Sequence, residues 1–250
     1  MSSLQITDVI GTACTNASHQ DLVDIIEERV VQGNENVAID FTNVHIVSAR
    51  ATEEEFHEQT EHNDYFIPDS QVLKWAVNLF GGEMKERVYG PDFLKYGVEH
   101  SSDESRHYFL GASQDCLDKL LSKCKEFRET VQIVGSRNGY FSEEDNEGIV
   151  QDIEAANPDY IWVGLGTPKQ QEWICKNREN FTKGALLAVG FAFDVNAGTK
   201  KDAPVWMQKF GLTWFYRLLC EPRRLWKRYL VYNSIFVWGV IKQHFKFNFK

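Results

Sequence analysis

Between residues 107 and 193, short hydrophobic runs alternate with longer segments whose apolar side chains recur at helical spacing. The short runs predict four strands, at His107–Gly111, Thr130–Gly135, Tyr160–Gly166 and Ala185–Phe193. The longer segments predict helices over Gln114–Arg128, Ser142–Ala156 and Pro168–Asn180. Strands that alternate with helices of this length form right-handed crossovers, so the pattern predicts a parallel sheet covered by helices on both faces.

The first hundred residues follow the same pattern less regularly. Strands are predicted at Val37–Phe41 and Tyr65–Ile67, and helices at Ser70–Phe80 and Pro91–His100. The stretch from residue 48 to 62 is helix-like but unusually polar. The 250 residues therefore predict an α/β fold, and their number suits one large domain or one domain with an appendage.

The charge of the chain changes sign near residue 200. Residues 1–200 carry 17 Lys and Arg against 34 Asp and Glu, whereas residues 201–250 carry 10 against 2. We therefore expect a main domain over residues 1–200 and a C-terminal helical appendage over residues 201–250, in which Pro222 begins a helix. The overall net charge of −9 argues against nucleic acid as a partner.

The appendage has the composition of a segment that binds an anionic membrane surface. Five cations lie within residues 217–228, interleaved with Trp, Tyr and Leu. Guanidinium groups also bind phosphates, and Arg224 and Arg228 share a helix face. The alternative is a basic helix that is solvated on one face and packed on the other. The longest uncharged run, Tyr229–Ile241, has 13 residues, whereas a membrane-spanning helix needs roughly 20.

The five cysteines are odd in number and form no Cys-x-x-Cys pair. That usage argues against a disulfide framework or a zinc site and fits a reducing cytoplasm. The first eight residues lack the basic and apolar regions of a secretory signal. These features predict a cytoplasmic protein that attaches peripherally to the inner face of the cell membrane.

Ligands of an open parallel sheet bind beyond the carboxyl ends of its strands. One candidate there is the turn formed by Gly164 and Gly166 before Pro168, which would direct free N–H groups at an anion. Lys169 and Gln170 lie in the first turn of the helix that follows. The alternative is an ordinary tight turn, which the spacing alone favours.

Two aspartates also follow predicted strands. Asp69 is placed to act as a general base, or else as the N-cap of the next helix. Asp194 could hydrogen-bond a sugar, ribose or base, or else form a turn. The chain has no Asp-x-Asp pair for a divalent ion, so we expect no metal or other cofactor. If a diphosphate is bound, arginines must then neutralise its charge.

Several motifs recur in a fixed order along the chain. Residues 163–174 (VGLGTPKQQEWI) contain a Gly-x-Pro-Lys-Gln turn, and residues 188–230 contain Gly-x-x-Phe-Asp, Ala-Pro, Gly-Leu-x-Trp and Glu-Pro-x-Arg segments. Upstream lie Phe41-Thr42-Asn43, Pro68-Asp69 and the segment Arg87–Asp92. Taken together, residues 37–241 resemble the WecG/TagA/CpsF glycosyltransferase family.

The resemblance implies a Rossmann-like fold and an inverting, metal-independent glycosyltransferase. Such an enzyme moves a sugar, commonly of the N-acetylmannosamine type, from a UDP-sugar to a polyprenyl-diphosphate-linked saccharide; a homo-oligomer is left open. By matched position, Asp69 would be the base that deprotonates the acceptor hydroxyl. Beside it, the resemblance implies catalytic roles at Thr42, Arg87 and Gln170. The implied substrate-binding residues are Asn43, Gly164, Gly166, Pro168, Lys169, Asp194, Arg217, Arg224 and Arg228.

Two positions depart from the family pattern. Gln171 stands where the family has Glu, and Ser70 stands where it has Gly, a residue freer to adopt positive φ. Both departures bear on sugar specificity and activity. Two other interpretations stay open at this point. One is a nucleotide-dependent oxidoreductase, although a full Gly-x-Gly-x-x-Gly motif is missing; the other is a membrane-associated adaptor that binds a sugar nucleotide without catalysis.

Overall fold

A computed structural model describes residues 4–248. Residues 1–3, where no secretory signal was expected, and residues 249–250 of the predicted appendage lie outside the described residues. One sheet contains the strands β1 (Gln5–Val9), β2 (Thr12–Asn16), β3 (Asn36–Thr42), β4 (Tyr65–Pro68), β5 (Arg106–Gly111), β6 (Gln132–Arg137), β7 (Tyr160–Gly164) and β8 (Gly184–Ala188). Their order is β1-β2-β4-β3-β8-β7-β5-β6. All pairs are parallel except β1 with β2, so the predicted α/β sheet is confirmed, with an antiparallel strand added at one edge.

Helices connect the strands and extend beyond the last one. Those that alternate with the strands are α1 (His19–Ile25), which continues as a π-helical segment over Ile26–Gln32, α2 (Val44–Thr52), α3 (Glu54–Glu61), α4 (Gln71–Leu79), α5 (Gly90–His100), α6 (Gln114–Phe127), α7 (Asn146–Ala156) and α8 (Lys169–Asn177). After β8 come α9 (Ala192–Asn196), α10 (Val205–Lys209), α11 (Thr213–Cys220) and α12 (Pro222–Asn248). The helix predicted to begin at Pro222 is therefore confirmed.

The sequence-based prediction is wrong at the end of the last strand. The predicted strand Ala185–Phe193 ends at Ala188, because Gly190 has a φ of +50°, which lies outside the β region. The chain then enters α9, so Asp194 lies within a short helix rather than directly after a strand. The polar stretch from residue 48 to 62 forms most of α2 and α3.

Alternating side chains of the central strands fill two separate hydrophobic cores. On one face of the sheet, Phe109 and Trp162 pack with α1, α5, α6 and α9. On the other face, Leu110 and Val163 pack with α7 and α8. Because both faces of β5 and β7 are buried, these strands are hydrophobic at almost every position, and the prediction of helices on both faces is confirmed.

The parallel register brings the carboxyl ends of the central strands to one level. Thr42 of β3 pairs with Pro68 of β4, and Asp40 of β3 pairs with Ala188 of β8. On the other side of β8, Ala188 pairs with Val163 of β7. The segments that leave β3, β4, β7 and β8 therefore emerge side by side, and this alignment creates the site described below.

The appendage packs against the main domain through its last helix. The Ser48 hydroxyl of α2 donates to the carbonyl of Tyr232 at 2.8 Å, and the Ile10 N–H donates to Oε1 of Gln243 at 2.7 Å. A domain boundary at residue 200 stays a prediction. Within residues 4–248, no helix combines the length and apolar character that crossing a membrane requires.

Candidate active site

A cavity of about 720 Å³ lies between the carboxyl ends of β3, β4, β7 and β8 and the helices α11 and α12. This is the position expected for the ligand site of an open parallel sheet. Twelve of the thirteen predicted site residues line it: Asn43, Asp69, Arg87, Gly164, Gly166, Pro168, Lys169, Gln170, Asp194, Arg217, Arg224 and Arg228. Residues that are up to 185 positions apart in sequence are thus gathered around one space.

Asp69 is held at the end of β4 with its carboxyl group facing the cavity. Its N–H donates to the carbonyl of Thr42 at 2.8 Å, and its Oδ1 accepts the N–H of Gly90 at 2.7 Å. The N-cap of α4 is Ser70 and not Asp69, since the Ser70 hydroxyl accepts the N–H of Leu73 at 3.2 Å. The interpretation of Asp69 as a helix cap is therefore wrong, and its Oδ2 makes no hydrogen bond among residues 4–248.

Burial raises the pKa of Asp69 to about 6, although the charges of Arg87 and Arg217 and the Gly90 N–H oppose this rise. A carboxyl group with a pKa close to neutrality can accept a proton and later release it, as a general base must. Ser70 does not disturb this geometry, because its φ is −97° and the position does not require the positive φ that glycine provides.

Thr42 is the exception among the predicted site residues. It is fully buried at the end of β3 and does not line the cavity, because its hydroxyl points back into the protein and donates to Oδ1 of Asp40 at 2.5 Å. Oδ2 of Asp40 accepts the side-chain amide of Gln171 at 2.7 Å. Burial raises the pKa of Asp40, and the hydrogen bonds from Thr42 and Gln171 oppose that rise. Thr42 thus supports the floor of the site and does not contact its contents.

Asn43 follows β3 and begins α2. Its Oδ1 accepts the N–H groups of His45 at 3.0 Å and Ile46 at 3.3 Å, which fixes the orientation of the side chain. The side-chain NH₂ of Asn43 makes no hydrogen bond within residues 4–248, and the residue lines the cavity. Asn43 therefore offers a fixed donor beside the carboxyl group of Asp69.

The Gly-x-Gly turn after β7 is stabilised by Gln170. Oε1 of Gln170 accepts the N–H of Gly166 at 3.1 Å, and its Nε2 donates to the carbonyl of Ala188 at 3.2 Å. Gly166 has a φ of +78°, a conformation that favours glycine. The amide of Gln170 thus ties the turn to the end of β8, whereas Lys169 stays exposed at the rim of the cavity.

Arg87 joins the main domain to the appendage. Its Nη1 donates to the carbonyl of Asp69 at 3.1 Å, and its Nη2 donates to Oε1 of Gln208 in α10 at 2.7 Å. The guanidinium carbon lies 4.1 Å from the ring centroid of Tyr89, which is a cation–π contact. The side chain is therefore held from three sides at the edge of the cavity.

The appendage contributes three further guanidinium groups to the same cavity. Arg217 lies 4.1 Å above the ring centroid of Phe191, and Arg224 contacts Glu221. Burial lowers the pKa of Arg228, and the charges of Arg217 and Arg224 lower it further, although nearby tyrosines oppose this. Like charges that gather in a partly buried space are stabilised when an anion binds between them.

Asp194 lines the same cavity and has cationic and hydroxyl partners. Its Oδ1 accepts the hydroxyl of Thr199 at 3.1 Å, and its Oδ2 lies 3.4 Å from Nζ of Lys200. Lys200 also lies 3.7 Å from Oε1 of Glu221, at the junction before α12. Within residues 4–248, no three His, Cys, Asp or Glu side chains are grouped so that they could hold a metal ion.

The cavity is also lined by residues that were not among the predicted site residues, including His45, Tyr89, Tyr140 and Lys200. Tyr140 follows β6 and could have been found from the rule that ligands meet strand ends. Burial and the charge of Arg228 lower the pKa of His45 to about 3, so its ring is neutral near pH 7. His45, Tyr89 and Lys200 carry no distinguishing sequence signal.

A parallel α/β sheet whose cleft sets a carboxyl group against clustered arginines has the chemical groups to bind an anion and to move a proton beside it. The chain belongs to the Glycosyl transferase WecG/TagA/CpsF family, whose sequence model matches residues 7–250. The resemblance found in the motifs is therefore confirmed, and the chain is a glycosyltransferase. This membership sets aside the oxidoreductase and adaptor interpretations.

Three relatives carry the same description, N-acetylglucosaminyldiphosphoundecaprenol N-acetyl-beta-D-mannosaminyltransferase. The Bacillus subtilis (strain 168) protein is 29% identical over 91% of this chain and 88% of its own length. The Bacillus spizizenii (strain ATCC 23059 / NRRL B-14472 / W23) protein is 30% identical over 67% of this chain and 64% of its own length. The Staphylococcus aureus (strain NCTC 8325 / PS 47) protein is 26% identical over 87% of this chain and 86% of its own length.

Proposed function

We propose that this chain is an inverting glycosyltransferase that moves an N-acetylmannosamine-type sugar from a UDP-sugar to a polyprenyl-diphosphate-linked saccharide, without a metal ion. The observation that carries the proposal is the position of Asp69, whose carboxyl group shares one cavity with Arg217, Arg224 and Arg228. The names of the relatives support the acceptor class, because those enzymes act on N-acetylglucosaminyldiphosphoundecaprenol.

Asp69 would accept the proton of the attacking acceptor hydroxyl. As that proton leaves, the hydroxyl oxygen forms a bond to C1 of the donor sugar, and the bond from C1 to the diphosphate oxygen breaks. The bonding electron pair leaves with the diphosphate of UDP. Because attack and departure occur on opposite faces of C1, the configuration at that carbon inverts.

The arginines would offset the negative charge that develops on the leaving diphosphate. Preorganised donors of this kind contribute roughly 3–4 kcal/mol each, by analogy with oxyanion holes. Arg217 and Arg228 come from separate helices of the appendage, so α11 and α12 both contribute to the lining of the site. Asp194 and the turn at Gly164 and Gly166, which line the same cavity, would hold the nucleotide.

The appendage would also bring the enzyme to its membrane-linked acceptor. Large apolar side chains in α10, directly after it and in α12 are exposed: Trp206, Phe210, Trp226, Leu230 and Trp238. Arg223 and Lys227 are exposed on the same helix as the last three. Aromatic and cationic side chains mixed in this way favour the interface of an anionic membrane, so we place the enzyme peripherally on the cytoplasmic face.

A screen of UDP-sugars against a polyprenyl-diphosphate-linked N-acetylglucosamine acceptor tests the proposal. We expect transfer from UDP-N-acetylmannosamine or a closely related UDP-sugar, with an inverted anomeric configuration in the product and undiminished rate in excess EDTA. No transfer from any UDP-sugar would contradict the proposed reaction. A strict requirement for a divalent ion would contradict the role given to the arginines.

A further inference from the structure

Arg87 and Gln208 are part of a closed ring of four side chains, and Arg87 connects this ring to Asp69. Arg87 donates to the Asp69 carbonyl at 3.1 Å and to Oε1 of Gln208 at 2.7 Å. Nε2 of Gln208 donates to Oδ2 of Asp202 at 3.0 Å, and Oδ1 of Asp202 accepts the hydroxyl of Tyr89 at 2.8 Å. Tyr89 closes the ring by stacking on the guanidinium group of Arg87.

The chemistry of its partners fixes the orientation of the Gln208 amide. A guanidinium group only donates, so the oxygen of Gln208 must face Arg87. The carboxylate of Asp202 and the carbonyl of Ala203, which lies 2.8 Å from Nε2, only accept, so the NH₂ group must face them. An amide carries an acceptor oxygen and a donor NH₂ on one rigid group, so it satisfies both sides at once.

We propose that Gln208 is a positioning residue for catalysis: through Arg87, it transmits the docking of α10 to the backbone and carboxyl group of Asp69. The inference rests on the proposed function, because Asp69 acts as the base only in that reaction. Gln208 itself does not line the cavity and does not contact its contents. The base would therefore be correctly held only when the appendage is in place.

The charges around the base make this role measurable. Arg87 and Arg217 face Asp69 and stabilise its carboxylate form, whereas Asp40 opposes that form. The pKa of Asp69 is about 6, so the rate of transfer should rise with pH through this value. A carboxylate at position 208 would offset part of the positive charge of Arg87, and this loss would raise the pKa of Asp69. The same carboxylate would also repel Asp202.

The test compares kcat, KM and the pH dependence of kcat/KM for wild type, Gln208→Glu and Gln208→Ala. We expect kcat to fall roughly ten- to hundred-fold in both variants, because the base is misplaced. UDP affinity, measured by calorimetry, should stay close to that of wild type. In Gln208→Glu, the acidic limb of the kcat/KM profile should shift to higher pH by about half a pH unit or more.

Gln243→Ala is the matched control. Gln243 also joins the appendage to the main domain, through hydrogen bonds of 2.7 Å from the Ile10 N–H and 2.8 Å to the Asp8 carbonyl, but it lies outside the cavity. This variant should keep the wild-type pH profile and kcat. Thermal unfolding and circular dichroism establish that each variant is folded.

The possible outcomes separate the two proposals. The positioning role alone would be overturned if the wild type were active and the Gln208 variants kept its kcat and the acidic limb of its pH profile. Equal losses in the Gln208 variants and in Gln243→Ala would also overturn it, because a general loosening of the appendage would then account for the effect. A wild type that transfers no sugar from any UDP-sugar would overturn the proposed function and, with it, this inference.

Discussion

The side-chain amide of Gln171 in α8 donates a 2.7 Å hydrogen bond to Oδ2 of Asp40 in β3, and both residues are buried beneath the cavity. Asp40 also accepts the hydroxyl of Thr42, so its two oxygens are satisfied by neutral donors. Gln171, one of the two positions at which this chain departs from the family pattern, is thus paired with a buried carboxyl group. A Glu at position 171 would face that group with a second carboxyl.

Gln171→Glu should destabilise the fold by about 2–4 kcal/mol near pH 7, since two carboxyl groups would share one buried space. One of them would have to bind a proton, so its pKa in the folded state would lie above its value in the unfolded chain. The destabilisation should therefore grow as the pH rises and shrink below about pH 4. Denaturant unfolding at several pH values measures it.

The double variant Asp40→Asn/Gln171→Glu provides the control for this pair. It exchanges the amide and the carboxyl group and restores one donor facing one acceptor, so it should recover most of the lost free energy of unfolding. If the double variant were as unstable as the sum of the single variants, the Asp40–Gln171 pairing would not be the cause.

Asp69→Asn should abolish sugar transfer and leave UDP binding intact. The amide can still accept the N–H of Gly90, so the local structure is kept, but it cannot take the acceptor proton. Single-turnover assays and calorimetry with UDP measure the two properties separately. Substantial remaining turnover would remove Asp69 from the mechanism.

The same variant should be more stable than wild type at neutral pH. The pKa of Asp69 is about 6 in the folded protein, against an ordinary value of 3.8, so the folded state binds more protons between these values. Wild-type stability then falls as the pH rises from about 4 to 6, and Asp69→Asn avoids this loss. We expect an advantage of about 1–3 kcal/mol above pH 6 and none below about pH 4. If the free energy of unfolding depended on pH in the same way in the two proteins, this prediction would be contradicted.

Arg228→Ala should lower kcat by roughly a hundred-fold or more, because one stabilising charge on the leaving diphosphate is lost. The fold should tolerate the change, since the guanidinium group of Arg228 is partly buried close to the charges of Arg217 and Arg224. With a water-soluble acceptor analogue, which requires no contact with a membrane, Arg223→Ala is the matched control: Arg223 lies on the same helix, is exposed and does not line the cavity. Equal effects of the two substitutions would argue against a specific diphosphate clamp.

Replacing Trp226 and Trp238 by Ser should weaken binding to vesicles that contain phosphatidylglycerol by roughly ten-fold or more. Both indoles are more than half exposed, and entry into the interface would remove their apolar surface from water. Added salt should weaken the remaining binding further. Ile6→Ser, at an exposed position of β1, is the control and should bind like wild type in co-sedimentation assays.

Hydrophobic spacing was enough to predict most of the central architecture. The strands at residues 107–111 and 160–164 were predicted because both of their faces are buried and their sequences are continuously apolar. The hairpin of β1 and β2 was missed, since short strands that mix exposed with buried positions carry a weaker signal. The strand predicted to reach Phe193 ended early, because a hydrophobic run does not reveal the positive φ of Gly190.

The order of residues along the chain reveals which chemical groups are available: a carboxyl group after a strand, a glycine turn and a basic, aromatic C-terminal segment. Which of these groups face the cavity, and which are occupied by other residues, depends on how the chain folds. Thr42 and Arg87 illustrate this. The buried hydroxyl of Thr42 donates to Asp40, and the guanidinium group of Arg87 donates to Gln208, which is 121 residues away in sequence. Periodicity is a property of neighbouring residues, whereas the partners of a polar side chain are set by packing between distant parts of the chain.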